Sequence, residues 1–481
     1  RIAQFKDVAA FRARLAALEL ELPVDDAPLS AAQDSPLAAR GELGGFTVGN
    51  RWCIHPMEGW DARDDGSPSE HTLRRWHNFG LSGAKLIWGG EAAAVDANGR
   101  ANPHQTLATP ENRAGLKQLL STLVDAHRER FGTVDDLLVG LQLTHSGRYS
   151  RPTAAGPRPR IAYHHPLLDA RLGIHPENNG AVISDDELER LLDKYVAAAG
   201  LAFEAGFRFV DLKACHGYLV HELLSGHARP GRFGGDFEGR TRFLRDLVGR
   251  VRAAWPELLV GVRLSAFDTV PYQPGTNAGE PAAHDQLLPY RYAFGVDPQK
   301  PTRGDLAETI RLLTVLQAAG VAVVNLSAGS PYYNPHLQRP ALFPPSDGYQ
   351  PPEDPLAGVV RQIIATRDCR AAVPGLLMVG TAYSYLQEFL PHVAQAVVRA
   401  GWADYIGLGR MVLSYPELPA DVLAGQQLAR KQFCRTFSDC TTGPRLGMMS
   451  GCYPLDPYYK AQPQAALLKA AKRPATDPPS A

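Results

Sequence analysis

The sequence predicts an α/β chain folded as a (β/α)8 TIM barrel, with long loops over the C-terminal mouth and a C-terminal extension. Three observations carry that prediction. Eight strand-helix units follow one another with no change of rhythm, whereas a doubly wound sheet would show a break at its switch point. Four strands are aliphatic on one face and turn polar toward the C-terminal end of the other, as strands do when they rise to a barrel mouth. Three long loops all follow strands, at the end of a barrel where active sites are built.

Composition narrows the partner. The 481 residues carry 50 basic and 50 acidic side chains with no long like-charge block, which leaves no electrostatic footprint for nucleic acid or an anionic membrane surface. A small-molecule substrate is expected, with self-association into a homo-oligomer left open. No apolar run approaches the ~20 residues of a bilayer span, and residues 1–22 read as a charged helix rather than a signal segment, so a soluble, cytoplasmic chain is expected. Six cysteines are too few for a disulfide scaffold, yet Cys434, Cys440 and Cys452 fall close together.

In chain order, an N-terminal helix and linker (1–45) are expected to precede the barrel (46–425), followed by the extension (426–481) with its three cysteines and a Pro/Ala-rich tail expected to be disordered. A hairpin over 46–57 ends in the first strand, 53–57. Further strands are expected at 84–88, 137–144, 207–213, 259–265, 322–327, 376–380 and 404–408. Helical stripes lie between them: Leu116, Leu119, Leu120, Leu123 and Val124; Leu188, Leu191, Leu192, Tyr195 and Val196; Phe243, Leu244, Leu247, Val248 and Val251. The loops at 146–184, 266–303 and 330–354 are rich in Pro, Gly, His and Tyr, and loops this long are uncommon unless they carry function or disorder. Tyr332 and Tyr333 are expected either to cover the mouth or to pack on the surface.

Alternation points Gln142, Thr144, Lys213, Arg263, Asn325 and Ser327 to the barrel axis or its mouth. Thr144 and Asn325 are expected to be satisfied interior groups. A guanidinium facing the interior is costly without a partner, so Arg263, with Gln142, is assigned to an anionic ligand. The stretch 211–219 ends a strand and turns at Gly217, presenting Lys213, His216 and Tyr218, three proton-handling groups that can polarise a carbonyl and deliver a proton. Gly380 closes the seventh strand and Gly409, with Arg410, the eighth, where many barrels bind phosphate. Together these outline an elongated anionic cofactor lying flat across the mouth.

NRWCIHPM (50–57), EAAAVDANGR (91–100), QLTHSGR (142–148), DLKACHGYL continued as HELLS (221–225), RFGGDFEGRTRF (232–243), GVRLS, NLSAGS and GLGR occur in order and with fitting spacing. In these the chain resembles the old yellow enzyme (NADH:flavin oxidoreductase) family of FMN-dependent barrels over about 50–418. The resemblance implies backbone contacts from Pro56 and Met57 to the flavin, Ala92 facing its ring, Gln142 on its pyrimidine edge, Arg263 near N1 and O2, and Gly380, Gly409 and Arg410 on the phosphate. It implies that Lys213 and His216 hold a substrate oxygen and that Tyr218 donates a proton. Two positions depart from the family's habit: Lys213 stands for a histidine, and Glu58 stands near the flavin where Thr, Cys or Gly is usual.

The extension resembles the iron-sulfur segment of the 2,4-dienoyl-CoA reductase and trimethylamine dehydrogenase branch. Phe437 stands where a second cysteine would fall, and because such clusters usually require four thiolates, a remnant without cluster or metal is expected, the alternative being a cluster or zinc site on Cys434, Cys440 and Cys452 with an unusual fourth ligand. The nucleotide-binding domains that follow in those relatives are expected to be absent. Three functional readings follow: an ene-reductase using FMN and NAD(P)H on an α,β-unsaturated carbonyl compound, a flavin dehydrogenase or demethylase of an amine or alicyclic substrate, and a non-catalytic flavin electron-carrier subunit.

Overall fold

A computed structural model describes residues 1–472; the end of the tail expected to be disordered, from 473 onward, lies outside the described residues. A short antiparallel hairpin pairs β1 (Gly41–Leu43) with β2 (Phe46–Val48). The barrel strands are β3 (Trp52–Ile54), β4 (Leu86–Ile87) continued by β5 (Ala92–Ala94), β6 (Leu138–Thr144), β7 (Phe209–Ala214) and β8 (Leu259–Ser265). A surface hairpin, β9 (Tyr272–Pro274) with β10 (Gly279–Pro281), precedes β11 (Val323–Ser327), β12 (Leu377–Gly380) and β13 (Tyr405–Leu408). All barrel pairings are parallel, and contacts of β3 with both β4 and β13 close the ring into eight positions. The second position is broken at Gly89 and Gly90: β4 pairs with the start of β6 and β5 with its end.

Register stacks the interior in layers. Low in the barrel, Cys53, Leu86, Trp88, Leu138, Phe209, Val323, Val379 and Tyr405 form an apolar plug, closed by Leu43 and Val48 of the hairpin. Phe209 fits because its neighbours on the flanking strands are glycines: a Cβ on Gly140 would lie 2.0 Å from its ring and one on Gly261 2.5 Å. One step up, Gln142 pairs with Asp211; a step higher, Lys213, Arg263 and Asn325 stand abreast. The polar residues thus begin where the apolar plug ends.

The helices cover the outside as their periodicity predicts. Leu188, Leu191, Leu192 and Tyr195 are buried on helix Asp185–Ala205, which starts with a capping box between Ser184 and Glu187. Phe243, Leu244, Leu247, Val248 and Val251 are buried on helix Phe237–Ala254, capped by Asp236. Each such side chain contributes about 1.5–3 kcal/mol of transfer free energy. Among the described residues no helix is long and apolar enough to cross a membrane.

The structure corrects four expectations. The hairpin predicted over 46–57 spans Gly41–Val48, because the turn is made by Gly44 and Gly45, both at positive φ, and its first strand falls in the predicted linker. Thr144 is not satisfied, its buried hydroxyl lacking a partner, while Asn325 donates to His55 Nδ1 at 3.0 Å but leaves its Oδ1 unpartnered. Tyr333 is no cover: its hydroxyl donates to Asp268 at 2.5 Å beneath the surface. The long loops also hold short elements, including the β9–β10 hairpin and helix Pro335–Gln338.

Two stability outcomes follow. Leu43→Ala opens the base of the plug and should cost about 2–5 kcal/mol in denaturant unfolding. Burial holds His145 at about 4, His221 at about 3, and His55, His165 and His216 well below 6.5. These rings stay neutral in the fold but take up protons near pH 6.5 once unfolded, so their contribution is full above that pH and is lost as pH falls through the folded values. Four carboxyls raised by burial, Asp211 and Asp268 to about 6, Glu91 to about 7, and Glu222, act in the opposite sense but are fewer. Thermal melts should therefore give a lower Tm at pH 5.5 than at pH 7.5; an equal or higher value would contradict this account.

Candidate active site

One large cavity opens at the C-terminal mouth, holding roughly 1300 Å³ of open space. Its wall includes Pro56, Met57, Glu58, Gln142, Lys213, His216, Tyr218, Arg263, Gly409 and Arg410. Ala92 and Gly380 do not line it. Ala92 is buried in β5, its carbonyl accepting from Gln105, and at the end of β12 the wall is formed by Thr381 and Ala382, next to Gly380.

The floor is a polar relay built on Asp211. Its carboxylate accepts from Gln142 Nε2 and, at 2.6 Å, from the backbone N–H of Arg263. That leaves the carbonyl and one N–H of Gln142 for a ligand. Arg263 donates to the Pro56 carbonyl at 3.4 Å, and its buried Nε has no partner. The sequence marked Asp211 only as a strand residue.

At the end of β7 two consecutive left-handed residues, His216 (φ 66) and Gly217 (φ 78), turn the chain back across the mouth. For histidine this conformation is uncommon, and neighbours hold it. The His216 N–H donates to Ser265 Oγ at 3.1 Å, its carbonyl accepts from Ser330 Oγ at 2.8 Å, and the Gly217 N–H donates to His221 Nδ1 at 2.9 Å. The imidazole meets Ser327 Oγ at 2.8 Å, and burial, helped by Arg263 and Lys213, keeps it neutral.

Lys213 and Glu58 pair. Lys213 Nζ donates to Glu58 Oε1 at 2.5 Å, and the Tyr218 hydroxyl donates to Oε2 at 2.7 Å. Trp60 Nε1 adds a bond to Oε2 at 3.1 Å, and Lys213 Nζ lies 3.9 Å from the centre of the Tyr218 ring. Burial and the Glu58 carboxylate push Tyr218 well above the ordinary phenol value, so it holds its proton. The Tyr332 hydroxyl, 3.0 Å from that of Tyr218, belongs to a ring stacked on Tyr149 at 3.8 Å.

Glu58 is aimed by a group that sequence reasoning missed. Arg75 grips Asp61 with two bonds (2.6 and 2.9 Å) and Glu91 with a third (2.6 Å), and the Gly59 N–H donates to Glu91 at 3.1 Å. The three charged side chains tie the loop after β3 to helix Glu70–Gly80. The only sequence signal was Glu91 at the head of EAAAVDANGR.

At the other end of the cavity, Arg410 donates to the Pro340 carbonyl at 3.0 Å and leaves Nη1 buried without a partner. Arg339 donates to Thr441 Oγ1 and leaves Nε and Nη2 unpartnered; burial and the nearby Arg445 and Arg410 lower its pKa. Arg445 is compensated by Asp347 at 2.5 Å and the Pro331 carbonyl at 2.8 Å. Arg339 and Arg445 were also missed, lying in a proline-rich loop and in the extension. Orphaned guanidinium donors at both ends of one cavity fit a long ligand with an anionic group at one end and a polar ring system at the other.

The extension forms part of the wall through Cys440, Thr441, Pro444, Arg445 and Ser450. Cys434 and Cys452 are buried, Cys440 is half-buried, and Phe437 packs its ring 5.4 Å from that of Phe343. Among the described residues no group of three or more His, Cys, Asp or Glu side chains is set to hold a metal ion.

Removing one member of a buried ion pair strands the other, which costs about 3–5 kcal/mol, whereas replacing both with apolar groups can be near neutral. Glu58→Leu should therefore lower stability by about that amount in denaturant unfolding, and Lys213→Met combined with Glu58→Leu should regain most of it. Additive losses would show that the pair is not coupled.

The sequence matches the profile of the NADH:flavin oxidoreductase / NADH oxidase family over residues 42–288. An NADH oxidase of Thermoanaerobacter brockii is 25% identical over 395 residues, covering 81% of this chain and 51% of the relative. An NADPH dehydrogenase of Clostridium acetobutylicum is 28% identical over 223 residues, 46% of this chain and 60% of the relative. The chain thus spans about half to two thirds of the length of the curated relatives it matches. Among solved structures, a 2-naphthoyl-CoA reductase in complex with 2-naphthoyl-CoA superposes with a TM-score of 0.64 at 16% identity, over 88% of this chain and 57% of that one. An old yellow enzyme homologue from Zymomonas mobilis gives 0.57 at 21% identity, over 83% and 97%. These likenesses show the fold, and the profile match adds the family: the chain belongs to the NADH:flavin oxidoreductase / NADH oxidase family.

Proposed function

We propose that this chain is an FMN-dependent oxidoreductase of the ene-reductase type, reducing the C=C bond of an α,β-unsaturated carbonyl compound with NAD(P)H. The observation that carries the reading is the meeting of the Tyr218 hydroxyl, the His216 ring and the Lys213–Glu58 pair at one cavity wall, beside a floor whose Gln142 and Arg263 retain free donors. Gln142 would take the pyrimidine edge of the flavin and Arg263 the negative charge near N1 and O2. Pro56 and Met57 would contact the ring through backbone, while Gly409 and Arg410, backed by Gly380, would hold the phosphate. FMN, when bound, supplies the hydride acquired from NAD(P)H.

The chain's own residues handle the proton and the oxygen. His216 offers its ring to the substrate oxygen, and Tyr218 gives its proton to the α-carbon. A phenol held well above its ordinary pKa gives up a proton only to a strong base, and an enolate is such a base. The phenolate left behind would lie beside Lys213, whose Nζ is placed to stabilise it.

One observation favours a second reading. Glu58 already accepts the Tyr218 hydrogen, so the same triad run backward would take a proton from an alicyclic substrate while hydride leaves, making the enzyme a dehydrogenase. Stopped-flow half-reactions separate the two. Tyr218→Phe should slow reoxidation of the reduced protein by an enone by about 10²–10⁴-fold while reduction by NADH or NADPH changes little. Equal reoxidation rates in parent and variant would overturn the role of Tyr218. Anaerobic reduction of the protein by a saturated cyclic ketone, faster than by either nicotinamide, would favour the dehydrogenase.

A further inference from the structure

Helix Asp439–Arg445 of the C-terminal extension is tied to one loop of the barrel, and that loop carries Arg339; elsewhere the extension is anchored separately, Asp456 pairing with Arg74 and Arg435 with Glu388. Thr441 accepts from Arg339 Nη1, Ser438 donates to the Phe343 carbonyl at 2.6 Å, and the Ser346 N–H donates to Thr442 at 3.2 Å. Arg445 adds the Asp347 ion pair and the Pro331 carbonyl. Nearly every polar group of helix Asp439–Arg445 that reaches the barrel thus lands on residues 331–347.

That loop also supports the proposed phosphate end of the cavity. Arg410 rests on the carbonyl of Pro340, the residue after Arg339. The two guanidiniums leave three buried donors free: Arg410 Nη1 and Arg339 Nε and Nη2. A terminal phosphate has three acceptor oxygens and up to two negative charges, and charge-assisted bonds to arginine are among the strongest available. The third arginine, Arg445, has its own carboxylate, so the uncompensated charge is that of Arg339 and Arg410.

We propose that helix Asp439–Arg445 is a latch for the cofactor's phosphate: Thr441 holds Arg339 so that its free N–H groups close on the phosphate beside Gly409 and Arg410. The inference rests on the FMN reading of the site. It gives the extension a function that needs no metal. By linkage, phosphate binding steadies helix Asp439–Arg445 on its loop, and the seated helix tightens the hold on FMN by the same factor.

Apo protein titrated with FMN and with riboflavin, which lacks the phosphate, tests this through flavin fluorescence. Arg339→Met should weaken FMN at least about tenfold and leave riboflavin unchanged, with Arg339→Lys between. Thr441→Val keeps the charge and loses only its holder; it should weaken FMN several-fold, again with riboflavin unchanged, and it carries the test should Arg339→Met not fold. FMN, but not riboflavin, should slow tryptic cleavage at the exposed Arg430 and Lys431, which precede helix Asp439–Arg445 within the extension. Parallel loss of both flavins, no loss of either, or equal protection by both would overturn the latch. A parent protein that binds riboflavin as tightly as FMN would instead overturn the phosphate reading of the whole site.

Discussion

The ion pair between Lys213 and Glu58 is the interaction on which the mouth of this barrel depends. A lysine whose side chain is only 6% exposed beside Arg263 would be strongly destabilising without a carboxylate. Glu58 supplies that carboxylate from a loop, and loops do not hold charges in place unaided. The Arg75, Asp61 and Glu91 cluster pins the loop to the first barrel helix, and Trp60 holds Glu58 from the side. Fold and chemistry are joined here: the helix surface positions Arg75, Arg75 positions the loop, and the loop decides the charge state presented beside Tyr218.

The layers beneath explain why such a group can act. An apolar plug built on Phe209 and Trp88 keeps water from the lower barrel, so each bond of Asp211 to Gln142 and Arg263 is made in a poorly solvated interior. The same burial keeps His216 neutral and Tyr218 protonated. Neutral donors next to an internally balanced ion pair suit a reaction whose charge appears only in passing, because the wall of Glu58, Lys213, His216 and Tyr218 itself carries little net charge.

Much of this was legible in the sequence where side-chain period and order carry the information. Strand alternation put Gln142, Lys213 and Arg263 on the inner face, and the pairings of β6, β7 and β8 set them side by side. The stretch 211–219 was read as a site, and Lys213, His216 and Tyr218 of it line the cavity. What stayed hidden depends on partners distant in sequence. Glu58 and Lys213 are 155 residues apart, and no local pattern announces that their charges cancel. Arg339 and Thr441, 102 apart, meet only because the extension folds back over the mouth. Asp211 was passed over because an acidic residue on an inner face gives no hint of which neighbours it will orient. The hairpin was placed late because its first strand, Gly41–Leu43, is too short to show an alternating pattern.

Lys213 is occupied by Glu58 and does not offer a free positive charge to a bound ligand. The binding of a substituted phenol to the flavin-loaded protein, followed by its ionisation difference spectrum across pH, reads that charge directly. In the parent protein the phenolate form should gain little over the neutral phenol. In Glu58→Gln, where Lys213 is released beside the neutral His216, the phenolate should bind at least about tenfold more tightly. Phenolate bound as tightly by the parent as by the variant would contradict the account, since it would mean that the lysine was free all along.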